Sequence, residues 1–132
     1  MVRYRTMKQF ALIPLAALAL SGCVTLDPDR DGITRARFGE TAKIGDVRIS
    51  PLKLLEDSRC PKDVQCVWAG QVRITAVVTW QARVQQIELT QGRPVAAANG
   101  TLTLVEVTPE PRSTVTINPR DYRFGFRFTR GY

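Results

Sequence analysis

Three cysteines, Cys23, Cys60 and Cys66, and the charged residues around the last two are the groups of this chain best suited to chemistry. Their sulfurs could be acylated, joined to one another or bound to a metal. Histidine is absent from all 132 residues, which removes His-based triads, His general bases, His-containing zinc sites and His pH switches together. Two thiolates without histidine or a second cysteine pair fall short of a full ligand set, so no metal is expected at Cys60 and Cys66. Their spacing is not C-x-x-C and no thioredoxin-like βαβ pattern surrounds it, which argues against a redox dithiol. Glu56, Asp57, Asp63 and Glu88 could act as acid and base in the manner of the paired carboxylates of glycosidases. Nothing in the sequence brings any two of them to a shared cleft. The expectation is a protein that is not an enzyme and carries no cofactor.

The N-terminus reads as an address and an anchor. Arg3, Arg5 and Lys8 precede the apolar run Phe10 to Leu20, which is short for a bilayer span and has the form of a signal-peptide core. The run ends in Leu20-Ser21-Gly22-Cys23, a tetrapeptide that resembles the lipobox of bacterial lipoproteins. That resemblance implies a diacylglyceryl group on the Cys23 sulfur, removal of residues 1–22 as the signal peptide, and acylation of the new amino terminus. Several acyl chains would hold the protein to a membrane almost permanently, since each buried methylene contributes roughly 0.8 kcal/mol. Translation could start at Met1 or at Met7 without changing this reading. In the sorting pattern of enteric bacteria, aspartate after the cysteine retains a lipoprotein at the inner membrane. Here that position is Val24, which favours the outer membrane, with the domain facing the periplasm or the cell surface.

With Cys23 assigned to lipid, Cys60 and Cys66 remain as an even pair in an oxidising compartment, and a disulfide between them is expected. So small a loop gains roughly 2 kcal/mol from the bridge and a larger share of local rigidity. The whole chain carries +7. Loss of Arg3, Arg5 and Lys8 with the signal leaves 16 basic residues against 12 acidic ones, a balance of +4. The compartment and the lack of an aromatic-plus-basic recognition motif argue against nucleic acid as a partner, and the positive excess suits anionic envelope components. Ordinary surface arginine explains the same charge.

These groups must be positioned by strands. Residues 23–37 include Asp27-Pro28-Asp29-Arg30-Asp31-Gly32 and read as a flexible lipid-anchored tether. A faint likeness to a calcium loop there is broken by Pro28 and by the missing closing glutamate. Residues 38–132 form a single β domain. Val47, Ile49, Leu52 and Leu54 mark a strand made irregular by Pro51. In the run Val72 to Trp80, residues Val72, Ile74, Ala76, Val78 and Trp80 face the core and Arg73, Thr75 and Thr79 face solvent. Val84 to Leu89 and Leu102 to Thr108 follow as strands, with turns at Gln91-Gly92-Arg93-Pro94 and Asn99-Gly100. A short β-rich piece, Thr114 to Ile117, precedes a last strand whose Tyr122, Phe124, Phe126 and Phe128 share one face, as core rather than as a ligand-stacking stripe. Six to eight strands without a convincing helix predict an all-β antiparallel sandwich or open barrel with one intra-loop disulfide.

One segment is distinctive. Asp57-Ser58-Arg59-Cys60-Pro61 followed by Cys66-Val67-Trp68-Ala69-Gly70 resembles a D-S-R-C-P…C-x-W-x-G pattern of a family of small uncharacterised bacterial exported proteins and lipoproteins. The likeness runs loosely from Phe38 to Trp80. It implies export, a β fold and the Cys60–Cys66 bridge, and it brings no reaction. The segment itself reads as a stapled connection between strands. Asp57 can accept backbone N–H groups beyond it, Gly70 permits a close approach, and Trp68 is expected over the bridge. Arg59 either pairs with Asp57 or Asp63 or projects for recognition. Asp57, Arg59, Lys62 and Trp68 are the candidate loop residues for binding. The functional expectation is a non-enzymatic cell-envelope lipoprotein that binds an envelope protein or an anionic envelope component. An inhibitor of a periplasmic hydrolase presenting this loop, or less readily a small carboxylate-dependent enzyme, are the alternatives.

Overall fold

A computed structural model of the chain describes residues 32–131. Cys23, the signal peptide and most of the tether lie outside the described residues. Among the described residues there are eight strands: β1 (Thr34–Ala36), β2 (Ala42–Ile44), β3 (Val47–Asp57), β4 (Val72–Trp80), β5 (Arg83–Thr90), β6 (Val95–Ala97), β7 (Gly100–Thr108) and β8 (Arg123–Arg130). One turn of 3-10 helix at Pro119–Asp121 precedes β8. Two four-stranded antiparallel sheets, ordered β1-β8-β7-β6 and β2-β3-β4-β5, pack face to face as a sandwich.

Alternation builds both inner faces. Val72, Ile74, Ala76 and Val78 of β4 are buried, as the two-residue period requires, while Trp80 at the strand end is half-buried and Thr75, expected to face solvent, is buried as well. Across the sandwich, Leu102, Leu104 and Val107 of β7 meet Phe124 and Phe126 of β8 in the same core. The aromatic stripe is core: Tyr122, Phe124 and Phe126 are buried and Phe128 partly so. Phe38 closes that end, its ring edge-on to Phe124 at 4.8 Å and to Tyr122 at 6.1 Å.

Pro51 sits inside β3 without damage. β2 pairs only with Val47 to Ile49, so at Pro51 one side of β3 has no strand to which an N–H is owed. The pairing with β4 is shifted between Pro51 and Lys53 and again between Leu54 and Glu56, which leaves Leu52 half exposed rather than in the core. The hairpin expected at Asn99-Gly100 exists, but Ala97 pairs with Gly100, so its central residues are Ala98 and Asn99. Gly100 instead belongs to β7, where an added Cβ would collide with the Thr129 carbonyl oxygen.

Two expectations are corrected. β1 pairs with β8 within the segment read as tether, so the folded domain begins before Phe38. Thr114 to Ile117 is not a strand: only an isolated bridge between Arg112 and Val115 forms there, Thr114 to Thr116 are exposed and Ile117 alone packs against the core.

Candidate functional site

The connection from β3 to β4 begins as a continuation of their ladder. The Ser58 N–H donates to the Gln71 carbonyl at 2.9 Å and the Cys60 N–H to the Ala69 carbonyl at 3.1 Å. Gln71 returns its own N–H to the Ser58 hydroxyl at 3.0 Å. Gly70 makes this close pairing possible: its φ is +68°, and a Cβ would collide with the Ser58 carbonyl. The Cys60–Cys66 disulfide closes the loop beyond that point, with the two Cα atoms 5.8 Å apart.

The loop is then fastened to the opposite sheet by side chains. Arg59 donates Nε to Asp57 Oδ1 and Nη2 to Asp57 Oδ2, both at 2.8 Å, in the two-point geometry that suits guanidinium and carboxylate. It also donates Nη1 to the Val107 carbonyl at 2.9 Å and Nη2 to the Pro109 carbonyl at 3.1 Å. Tyr122 donates its hydroxyl to Asp57 Oδ2 at 2.7 Å. The choice left open for Arg59 thus resolves to Asp57, and the residue is spent on holding the loop rather than on projecting from it. The Asp57 and Arg59 side chains keep only 10% and 13% of their exposure. Burial alone would raise the Asp57 pKa, but the Arg59 and Tyr122 hydrogen bonds outweigh it and hold the carboxyl below its usual range. Burial first and then the Asp57 carboxylate push the Tyr122 phenol up to about 12.

Further along, the Lys62 N–H donates to the Pro111 carbonyl at 2.9 Å, and its ammonium pairs with Glu110 at 2.7 Å in solvent. Asp63 accepts the backbone N–H of Ser113 at 2.9 Å and its hydroxyl at 2.6 Å. These two hydrogen bonds come first among the causes that lower the Asp63 pKa.

Trp68 does not lie over the bridge as expected. It is 81% exposed, and Val67 beside it is 89% exposed. With both ends of the loop held by the ladder, the disulfide and the arginine, these consecutive residues have no inner face to turn towards. Val64 in the same loop is 43% exposed. Val67 escaped the sequence reading, although two large apolar residues in a row within a Cys-Val-Trp-Ala-Gly loop cannot both follow strand alternation inward.

The four carboxylates considered for acid–base chemistry are each tied to neighbours. Glu56 accepts from Gln71 and Ser58 and pairs with Arg73. Glu88 also pairs with Arg73, from β5. Asp57 serves Arg59, and Asp63 serves Ser113. Comparison with protein-family models, with curated proteins and with solved structures found no match to this chain.

Proposed function

We propose that this protein is a non-enzymatic binding module of a bacterial cell envelope, held to the membrane through lipid on Cys23, and that it offers the stapled loop to a protein partner. One observation carries the reading: Val67 and Trp68 are almost fully exposed on a loop that is closed by the Cys60–Cys66 disulfide and tied to residues 107–113 through Arg59, Lys62 and Asp63. Exposed tryptophan is costly to keep in water and is a preferred anchor in protein interfaces. A loop already fixed in shape loses little conformational entropy on binding. The surroundings favour protein over bare lipid as the occupant. Glu110 and Asp63 stand with Lys62 and Arg112 where the stapled loop meets residues 110–113, and mixed charge on the loop that also exposes an apolar pair suits a protein interface, whereas carboxylates are repelled by an anionic membrane surface.

The lipid anchor rests on the Leu20-Ser21-Gly22-Cys23 tetrapeptide and the charged start before it. The outer membrane is the favoured location because Val24 follows the cysteine.

The experiment is comparative capture from envelope extract with the wild-type chain, Trp68→Ser and Lys62→Ala. Wild type should retain a discrete partner, and Trp68→Ser should lose it while keeping its melting temperature. Equal retention by Trp68→Ser contradicts the reading. The same rigid loop also suits an inhibitor of a periplasmic hydrolase. In that case a hydrolase among the retained proteins is inhibited by wild type and released from inhibition by Trp68→Ser. Arg59→Ala is not a useful probe of recognition, because that arginine holds the loop in place.

A further inference from the structure

The register of β1 on β8 runs Thr34 to Phe126, Arg35 to Gly125 and Ala36 to Phe124. One step further, it sets Arg37 opposite Arg123. Arg35, Arg37 and Arg123 therefore share the outer face of the sheet at the end of the two strands. They line one hollow of about 260 Å³ with Ala36 and Glu40. Arg37 and Glu40 also line an adjoining hollow of about 290 Å³, shared with Phe38, Pro119 and Arg120. Like charges directly opposite one another across two strands destabilise a sheet unless something compensates them.

Among the described residues the compensation of Arg37 and Arg123 is incomplete. Arg35 pairs with Glu106 at 2.8 Å. Glu40, the carboxylate lining the hollow, accepts the backbone N–H of Arg37 at 2.9 Å and so caps the turn between them. Among the described residues no carboxylate lies within ion-pair distance of the Arg37 or Arg123 guanidinium. Asp121 lies beside Arg120 in the 3-10 turn and does not line either hollow.

We propose that this hollow is a binding site for a phosphate group, held between the guanidinium groups of Arg37 and Arg123 with Arg35 and Arg120 at its margins. Guanidinium is the side chain best matched to phosphate oxygens, which it meets with two parallel N–H groups, and it stays charged at every physiological pH. The phosphate is either that of a lipid headgroup or a free phosphate. β1 is the first strand among the described residues and follows Cys23 by about ten residues, so a lipid anchor would bring this edge near headgroups. The site is separate from the stapled loop and does not depend on it.

The test uses the full chain, first in neutral detergent, titrated with inorganic phosphate and pyrophosphate at low salt and followed by amide NMR. The amides of Arg37, Glu40 and Arg123 should shift together and saturate. Arg37→Ala with Arg123→Ala should weaken the affinity about tenfold. Arg127→Ala, four residues along the same face of β8, should leave it unchanged. The core amides of Phe124 and Phe126 report that each variant is folded. The chain is then placed in nanodiscs of phosphatidylcholine or phosphatidylglycerol. Loss of the response to free phosphate in phosphatidylglycerol alone identifies a lipid headgroup as the occupant, and an equal response in both identifies free phosphate. No saturable shift in detergent, or an equal loss with Arg127→Ala, overturns the proposal.

Discussion

The Arg59 guanidinium uses four hydrogen bonds to join two stretches of chain, Asp57 on β3 and the segment of Val107 on β7 and Pro109 just after it. A guanidinium has five N–H donors, so little of it is left for a partner. Asp57 is similarly filled by Arg59 and Tyr122. Removing one side of such a largely buried pair strands the other. Asp57→Ala should lower stability by about 3 kcal/mol, and Tyr122→Phe, which removes one hydrogen bond, by about 1 kcal/mol; chemical denaturation measures both. The pH dependence has a definite sign. The folded pKa of Asp57 is depressed, so its contribution is complete above the ordinary carboxylate value of about 3.9 and is lost as pH falls through the lower folded value. The stability gap between wild type and Asp57→Asn should therefore be widest near neutrality and shrink under acid. A gap that stays constant down to the acid transition would show that Asp57 is not charged in the folded protein. The Asp57–Arg59 pair was one of the alternatives visible in the sequence. The Tyr122 contact was not, since 65 residues separate it from Asp57 and its place in an alternating aromatic run marked it only as core.

At the scale of elements, strand length decided what could be read beforehand. β4, β5, β7 and β8 are eight or nine residues long, enough for the two-residue period to repeat and stand out from chance. β1, β2 and β6 have three residues each, too few to show alternation, and they became strands because longer neighbours offered them an edge. Turn chemistry was legible where glycine or asparagine marked it and hidden elsewhere. The β4–β5 hairpin turns through Gln81 and Ala82, with φ of 47° and 59°, a left-handed conformation at both central residues of a two-residue loop that asparagine and glycine usually supply. Ala82→Gly should relieve that strain and raise stability by about 0.5–1 kcal/mol in thermal unfolding; a decrease would mean that the turn holds Ala82 by contacts that outweigh its backbone cost. For the stapled loop, Cys60→Ser with Cys66→Ser should cost about 2 kcal/mol. Hydrogen exchange at the Cys60 and Lys62 amides should accelerate more than exchange in the core strands, because the bridge acts on the loop first.

For the whole molecule, a sandwich with a solid apolar centre leaves function to its edges and loops. The all-β class and the bridge between Cys60 and Cys66 followed from alternation and from the parity of sulfur. What the tip does with Val67 and Trp68 did not, because exposure depends on where both ends of a loop are pinned, and those pins come from β7 and from residues 109–113, far along the chain. The N-terminal reading makes its own prediction at this scale: mass spectrometry of the mature protein should find acylated Cys23, and Cys23→Ser should leave the domain unanchored in the cell fraction that wild type escapes. The claim on which the functional account turns is that the pinned loop meets a protein through Trp68. A photoreactive benzoylphenylalanine placed at position 68 in living cells tests it directly, with the same probe at Val84, which is 70% exposed on the β5 face, as the reference. The account predicts one discrete protein adduct from position 68 and none from position 84. No adduct at 68, or the same diffuse labelling from both, would contradict it.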